Sequence, residues 1–180
     1  MQTSQAIELL KRLIATPSIS RDEAKAADIV EEELRGLGFV PQRKMNNVWA
    51  MALEYDAQKP TILLDAHLDT VKPNAQWVRD PFQPEVEDGK LYGLGSNDTG
   101  GSLVALLAAF VRLSKSEQPY NLIFLASAEE EVTGVNGVRA VLPELGKIDF
   151  AIVGEPTSLQ PAVAEKGLMV LDCTAYGVAG

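Results

Sequence analysis

Two stretches of strand length, TILLDAHLD (61–69) and NLIFLASA (121–128), are apolar almost throughout, the first up to Asp65. A strand with one wet face alternates apolar and polar residues, whereas a strand without that alternation is covered on both sides, as in parallel sheets carrying helices. FAIVG (150–154) reads the same way, as another buried strand. Helical patterns lie before and between these runs. Ile7, Leu10 and Ile14 recur at helical spacing until Pro17, and Ala26, Val30, Leu34 and Leu37 form a second stripe that Gly38 stops. Ser20 and Glu23 stand in an S-x-x-E pattern that predicts a capping box for the second helix. From Gly100 a third helix carries Leu103, Leu106, Leu107 and Phe110, widened by Val104 and Val111, and a short helix is expected over 135–142. VWAMALEY (48–55) predicts one more strand, and Asp88–Gly89 a hairpin turn. Strands alternating with helices imply an α/β layer architecture around a mainly parallel sheet.

LMVLDCTAYGV (168–178) differs, alternating Met169, Leu171, Cys173 and Ala175 with polar Asp172 and Thr174. It predicts a half-buried strand of another kind, with a boundary near Glu165–Gly167 and a partner that lies elsewhere.

Composition removes several function classes. The 180 residues carry 16 Lys and Arg against 25 Asp and Glu, a net charge of −9, which excludes a general binder of the nucleic-acid backbone. Cys173 is the only cysteine, so no intrachain disulfide forms. The first twenty residues lack a basic segment followed by an apolar one, and the longest apolar run, 103–111, is too short for a membrane helix. These features lead us to expect a soluble, cytoplasmic protein with no membrane or nucleic-acid partner. His67 is the only histidine, so a mechanism requiring two imidazoles is excluded for this chain alone.

The polar residues of interest follow the apolar strands. His67 and Asp69 close the first run, Asp98 precedes the helix starting at Gly100, Glu129, Glu130 and Glu131 follow NLIFLASA, and Glu155 follows FAIVG. In an open parallel sheet the carboxyl ends of the strands border the ligand crevice. One imidazole with several carboxylates suits a divalent metal, Zn²⁺ above all. Asp69, two residues after His67 and on the same strand face, is placed to orient the imidazole with its carboxylate. Paired carboxylates at Glu130 and Glu131 repel one another unless a cation lies between them, in which case one ligates and the other stays free as a base. Each residue also has an ordinary reading: His67 as a satisfied core histidine, Asp98 as a helix cap, Glu129–Glu131 as a solvated charge run, Glu155 as a strand exit. Together those readings require acidic residues to fall by coincidence at successive strand exits. Rival schemes have less support. His67 would have to serve any Ser or Cys nucleophile, no G-x-S-x-G elbow occurs, and Gly93-Leu94-Gly95 opens neither a Walker A loop nor a dinucleotide fingerprint.

The motifs AHLDTV (66–71), Trp77 with DPF (80–82), DGKLYGLGSND (88–98), SAEEEVTGVNG (127–137), VGEPT (153–157) and EKG (165–167) resemble, in order and spacing, those of the zinc amidohydrolases. That family includes acetylornithine deacetylase, succinyl-diaminopimelate desuccinylase, aminoacylase and glutamate carboxypeptidase. The resemblance implies a three-layer αβα, zinc-peptidase-like catalytic domain with two zinc ions, for which Co²⁺ can substitute. It implies that His67, Asp98 and Glu155 form the first metal site, that Asp98 bridges to a second containing Glu131, that Glu130 is the general base and that Asp69 orients His67. The Asp98–Thr99 peptide is expected to be cis, and Glu129 has no assigned role.

Ala66, Leu94 and Thr99-Gly100 depart from the commoner Gly, Arg and Met-Lys of the family, flanking the ligands without removing any. Family members are also about twice as long. By the resemblance, residues 1–167 correspond to the first part of the catalytic domain and 168–180 to the first strand of a lid and dimerisation domain. A second ligand His and an oxyanion-stabilising His would lie outside this chain. The expected activity is hydrolysis of small N-acyl amino acids, as in arginine biosynthesis, by a homodimeric longer protein, with residues 1–180 alone inactive. A dipeptidase or aminopeptidase of the same chemistry and a non-catalytic interaction segment are the alternatives.

Overall fold

A computed structural model describes residues 1–52, 55–164, 166, 167, 169, 171 and 173–178. The elements run α1 (Thr3–Ile14), α2 (Ala24–Gly36), β1 (Gln42–Lys44), β2 (Asn47–Met51), β3 (Thr61–His67), β4 (Glu85–Glu87), β5 (Lys90–Tyr92), α3 (Gly101–Leu113), β6 (Asn121–Ser127), α4 (Val138–Leu145) and β7 (Phe150–Val153). The main sheet has the order β1-β2-β6-β3-β7, and β4 and β5 form a separate hairpin. β3 pairs parallel with β6 and with β7, while β1–β2 and β2–β6 are antiparallel. In the parallel part, β6, β3 and β7 all deliver their carboxyl ends to one edge.

Alternate strand residues build two separate cores. Val48, Ala50, Leu64, Ala66, Leu122, Phe124 and Ala126 pack against α1, α2 and α3, where Leu9, Val30, Leu34, Leu103, Leu107 and Phe110 are wholly or almost wholly buried. Trp49, Leu63, Ile123 and Leu125 point the other way, onto Val141 and Leu145 of α4. This is the helix–sheet–helix layering that uninterrupted apolar strands demand, and β6 is buried along its full length.

Three expectations need correction, and one strand was not expected. The strand at 150–153 is apolar but not buried: it is the sheet's edge, with Phe150 60% and Val153 59% exposed. It pairs with β3 on one side only, and all four of its residues are exposed, so apolar composition alone did not make it a buried strand. The S-x-x-E capping box does not form: α2 begins at Ala24 with Glu23 as its N-cap and no side-chain cap bond. Ser20 and Glu23 are drawn elsewhere by buried partners. The short helix sits later than 135–142, at Val138–Leu145, because the preceding residues are taken up by a tight loop. The polar strand β1 was not foreseen; it is held by backbone pairing with β2 and has no apolar face to announce it. Leu53 and Glu54 of the run 48–55, and Leu168, Val170 and Asp172 of the expected strand 168–178, lie outside the described residues, and described neighbours Met169, Leu171 and Tyr176 are exposed. The Asp88–Gly89 hairpin forms as expected, with both residues at positive φ.

Candidate metal centre

β3 ends on His67, whose side chain is 1% exposed. Its Nδ1 lies 2.8 Å from the carbonyl oxygen of Asp69, which can only accept, so Nδ1 carries the proton and donates it. In the neutral ring Nε2 then presents its lone pair to the crevice. Asp69 therefore reaches the imidazole chiefly through its backbone; its carboxylate stands 3.5 Å from Nδ1. That carboxylate is fully occupied, accepting from Ser20 Oγ at 2.7 Å and from the backbone N–H groups of Glu130 and Glu131 at 3.0 and 3.1 Å.

Around Nε2 stand Asp98 Oδ1 at 3.1 Å, Glu155 Oε1 at 3.7 Å and Glu130 Oε2 at 3.9 Å. His67, Asp98 and Glu131 can each bring one ligand atom within 4.8 Å of the other two. The structure thus draws together His67, Asp98, Glu130, Glu131 and Glu155, though the trio within 4.8 Å takes Glu131 where the resemblance implied Glu155. Asp98 is delivered by the turn 96–100, whose Asp98–Thr99 peptide is cis, as expected. Thr99 is buried, and its hydroxyl donates to the carbonyl of Gly154, tying this turn to the end of β7. Gly100 has to be glycine, since a Cβ there would lie 2.7 Å from the Gly95 carbonyl oxygen and 2.8 Å from Leu10.

The electrostatics are those of a cation site. Burial works against a charged His67, yet Asp69, Glu155 and Glu130 overcome it and push the imidazole up to about 9. Burial would raise Asp69, but the neighbouring His67 imidazole and the bonds from Ser20 and the two N–H groups hold it below the usual carboxylate range. Glu131 and Glu155 are raised, first by burial and then, against the pull of His67, by Asp98 and neighbouring carboxylates. A crowd of acidic groups that raises its own affinity for protons and that of the imidazole it surrounds is a donor set in which a divalent ion can take the place of the proton on Nε2.

The sequence matches the model of Peptidase family M20/M25/M40 over residues 63–168, more than half of the chain and all of the site residues. The chain belongs to this family. The fold is also that of solved M20 structures. The M20 family metallo-carboxypeptidase Sso-CP2 from Sulfolobus solfataricus is 27% identical with a TM-score of 0.70, covering 86% of this chain and 37% of its own. Human carnosine dipeptidase 1 is 23% identical with a TM-score of 0.69, covering 84% and 38%. The Bacillus subtilis YXEP protein, a dinuclear metal binding peptidase from the M20 family, is 20% identical with a TM-score of 0.62, covering 83% and 42%. The chain therefore spans less than half the length of each of these. No helix among the described residues is long and apolar enough to cross a membrane.

Sequence reasoning left Glu129 idle, and the structure gives it work. It sits at φ 55°, buried, and its carboxylate accepts from the backbone and side-chain nitrogens of Asn136 at 3.3 and 2.9 Å. A Cβ on Gly134 would lie 1.8 Å from Glu129 Oε2, so only glycine fits beside it. Asn47, also buried, closes the same loop by accepting from the N–H of Ala128 and donating to the carbonyl of Asn136. Local sequence holds no signal for these contacts beyond the Gly and Asn content of TGVNG, which marks a turn.

Proposed function

We propose that this chain is the metal-binding part of a zinc-dependent hydrolase that cleaves the amide bond of small N-acyl amino acids. The observation that carries this reading is the convergence of Asp98, Glu130 and Glu155 on Nε2 of a buried, backbone-oriented His67, with Glu131 beside them. His67, Asp98, Glu131 and Glu155 would hold the metal, Zn²⁺ on the chemistry of the donor set, with Co²⁺ as a substitute. Bound there, it supplies Lewis acidity, which acidifies water and polarises the amide carbonyl. Glu130 is the general base. Its side chain is 54% exposed and its Oε2 faces the same point as His67, so it takes a proton from the attacking water and hands it to the leaving amine. Asp69 keeps His67 and the Glu130–Glu131 turn in register.

A second reading is hydrolysis of free dipeptides, favoured by the names of the solved relatives, among them human carnosine dipeptidase 1. The two are separated by amine release from N-acetylornithine against free dipeptides, with Zn²⁺ or Co²⁺ present, in a protein extended to the length of those relatives. On this reading residues 1–180 alone should show background activity, since the resemblance implies an oxyanion-stabilising His outside them and loss of one such donor costs about 100–1000-fold. Turnover by residues 1–180 that disappears in Glu130→Ala contradicts that part of the account.

A further inference from the structure

The segment joining α1 to α2 crosses the back of the metal centre. Residues 18–20 run alongside 68–70: the Thr70 N–H donates to the Ser18 carbonyl at 2.9 Å, the Ser20 N–H to the Thr70 carbonyl at 3.3 Å, and Ser18 Oγ to the Leu68 carbonyl at 3.0 Å. This pairing brings two side chains to the loop after β6. Ser20 Oγ donates to Asp69 Oδ2 at 2.7 Å. Glu23 is 0% exposed. Its Oε1 accepts from the N–H of Arg21 at 2.6 Å and of Glu129 at 3.3 Å, and its Oε2 from Asn46 Nδ2 at 2.7 Å.

Three successive backbone N–H groups, those of Glu129, Glu130 and Glu131, thus end on two buried carboxylates, Glu23 and Asp69. A helix-capping role does not account for this arrangement, since neither side chain caps α2. Glu129 lies in the left-handed region, where a non-glycine residue persists only if its surroundings hold it. The direction in which the next two side chains leave the backbone depends on that residue staying there. We propose that Ser20 and Glu23 are positioning residues of the metal centre: by fixing Asp69 and the N–H groups of 129–131, they aim the carboxylates of Glu130 and Glu131 at the point that His67 Nε2 faces. The inference rests on the metal-centre reading for its purpose, while its geometry stands in the metal-free chain.

The test uses residues 1–180 with Ser20→Ala, Ser20→Thr and Glu23→Gln. Amide exchange is read by NMR without metal, and Co²⁺ affinity by its visible absorption. For Ser20→Ala we expect exchange at Glu130 and Glu131 to quicken about ten-fold while the amides of Leu64 and Phe124 keep the wild-type rate, and the Co²⁺ dissociation constant to rise about ten-fold, the range seen when groups behind a ligand are removed. Ser20→Thr, which keeps the hydroxyl, restores both. Glu23→Gln should quicken exchange at Glu129; should that variant fail to fold, the Ser20 pair decides the matter alone. Unchanged exchange at Glu130 and Glu131 in Ser20→Ala, or an increase spread evenly over β3 and β6, overturns the proposal. If wild-type protein gives no Co²⁺ band while Ser20→Ala still loosens those two amides, the positioning role holds and the metal reading fails.

Discussion

The metal centre has two unlike halves. His67 and Asp69 have side chains 1% and 0% exposed; His67 is fixed by its bond to the Asp69 carbonyl, and Asp69 by bonds from Ser20 and the N–H groups of Glu130 and Glu131. Asp98, Glu130 and Glu155, at 57%, 54% and 35%, project into the crevice from separate chain ends. The buried half resembles a core: its geometry is set before any ligand arrives, and its hydrogen bonds leave one nitrogen pointing outward. The open half is a set of like charges that gains a shared partner only when a cation is bound. Such a division places ligand orientation in the folded structure and leaves exchange and access to the exposed groups.

The comparison breaks most readily at Asp69. Asp69→Asn removes a buried charge on which an imidazole, a hydroxyl and two N–H groups depend, and should cost about 3–5 kcal/mol of metal-free stability in urea denaturation. Asp98→Asn, in the open half, should leave metal-free stability within about 0.5 kcal/mol of wild type. Equal losses would remove the distinction between the halves. With Zn²⁺ at one hundred times its dissociation constant, wild-type protein should gain about 2.7 kcal/mol by mass action, read as a raised melting temperature, and Asp98→Asn should abolish the rise.

Asp65 sharpens the picture of the buried half. It precedes His67 by two on the same strand face, its Oδ1 has no hydrogen-bond partner, and burial pushes it up to about 6, with Ser127 and His67 working the other way. A carboxyl raised in the folded state adds nothing unfavourable below its ordinary value of 3.8, and lowers stability as pH rises from there through about 6. The shift sets a ceiling of about 3 kcal/mol, from which a buried amide lacking full partners takes back about 1. Asp65→Asn should therefore stabilise the metal-free protein by about 2 kcal/mol at pH 7.5, with the gain gone below pH 4. A gain independent of pH would show that ionisation of Asp65 is not its source.

Legibility in the sequence followed the reach of the interactions. The layers and the candidate ligands could be read because they rest on local patterns: apolar strands, helical stripes, and acidic residues just beyond strand ends. Ser20 and Glu23 could not, because their partners Asp69 and Glu129 are 49 and 106 residues away, and the only local trace was an S-x-x-E pattern that also fits a capping box. β7 was misread for a related reason. Phe150, Ile152 and Val153 are as apolar as a buried strand requires, but burial depends on what lies over a strand, and that is not written in the strand itself. β1 is the converse, a polar strand whose place comes from its pairing with β2.

The central claim is that a preset His67 presents Nε2 to a divalent ion. Calorimetric titration of Zn²⁺ into metal-free residues 1–180, beside the same titration of His67→Ala, tests it most directly. The account predicts saturable binding of about one ion by the wild-type chain, with affinity at least about 100-fold weaker in His67→Ala, since removing a ligand should exceed the 10–100-fold loss typical of the groups behind it. Superimposable isotherms for the two proteins would contradict it.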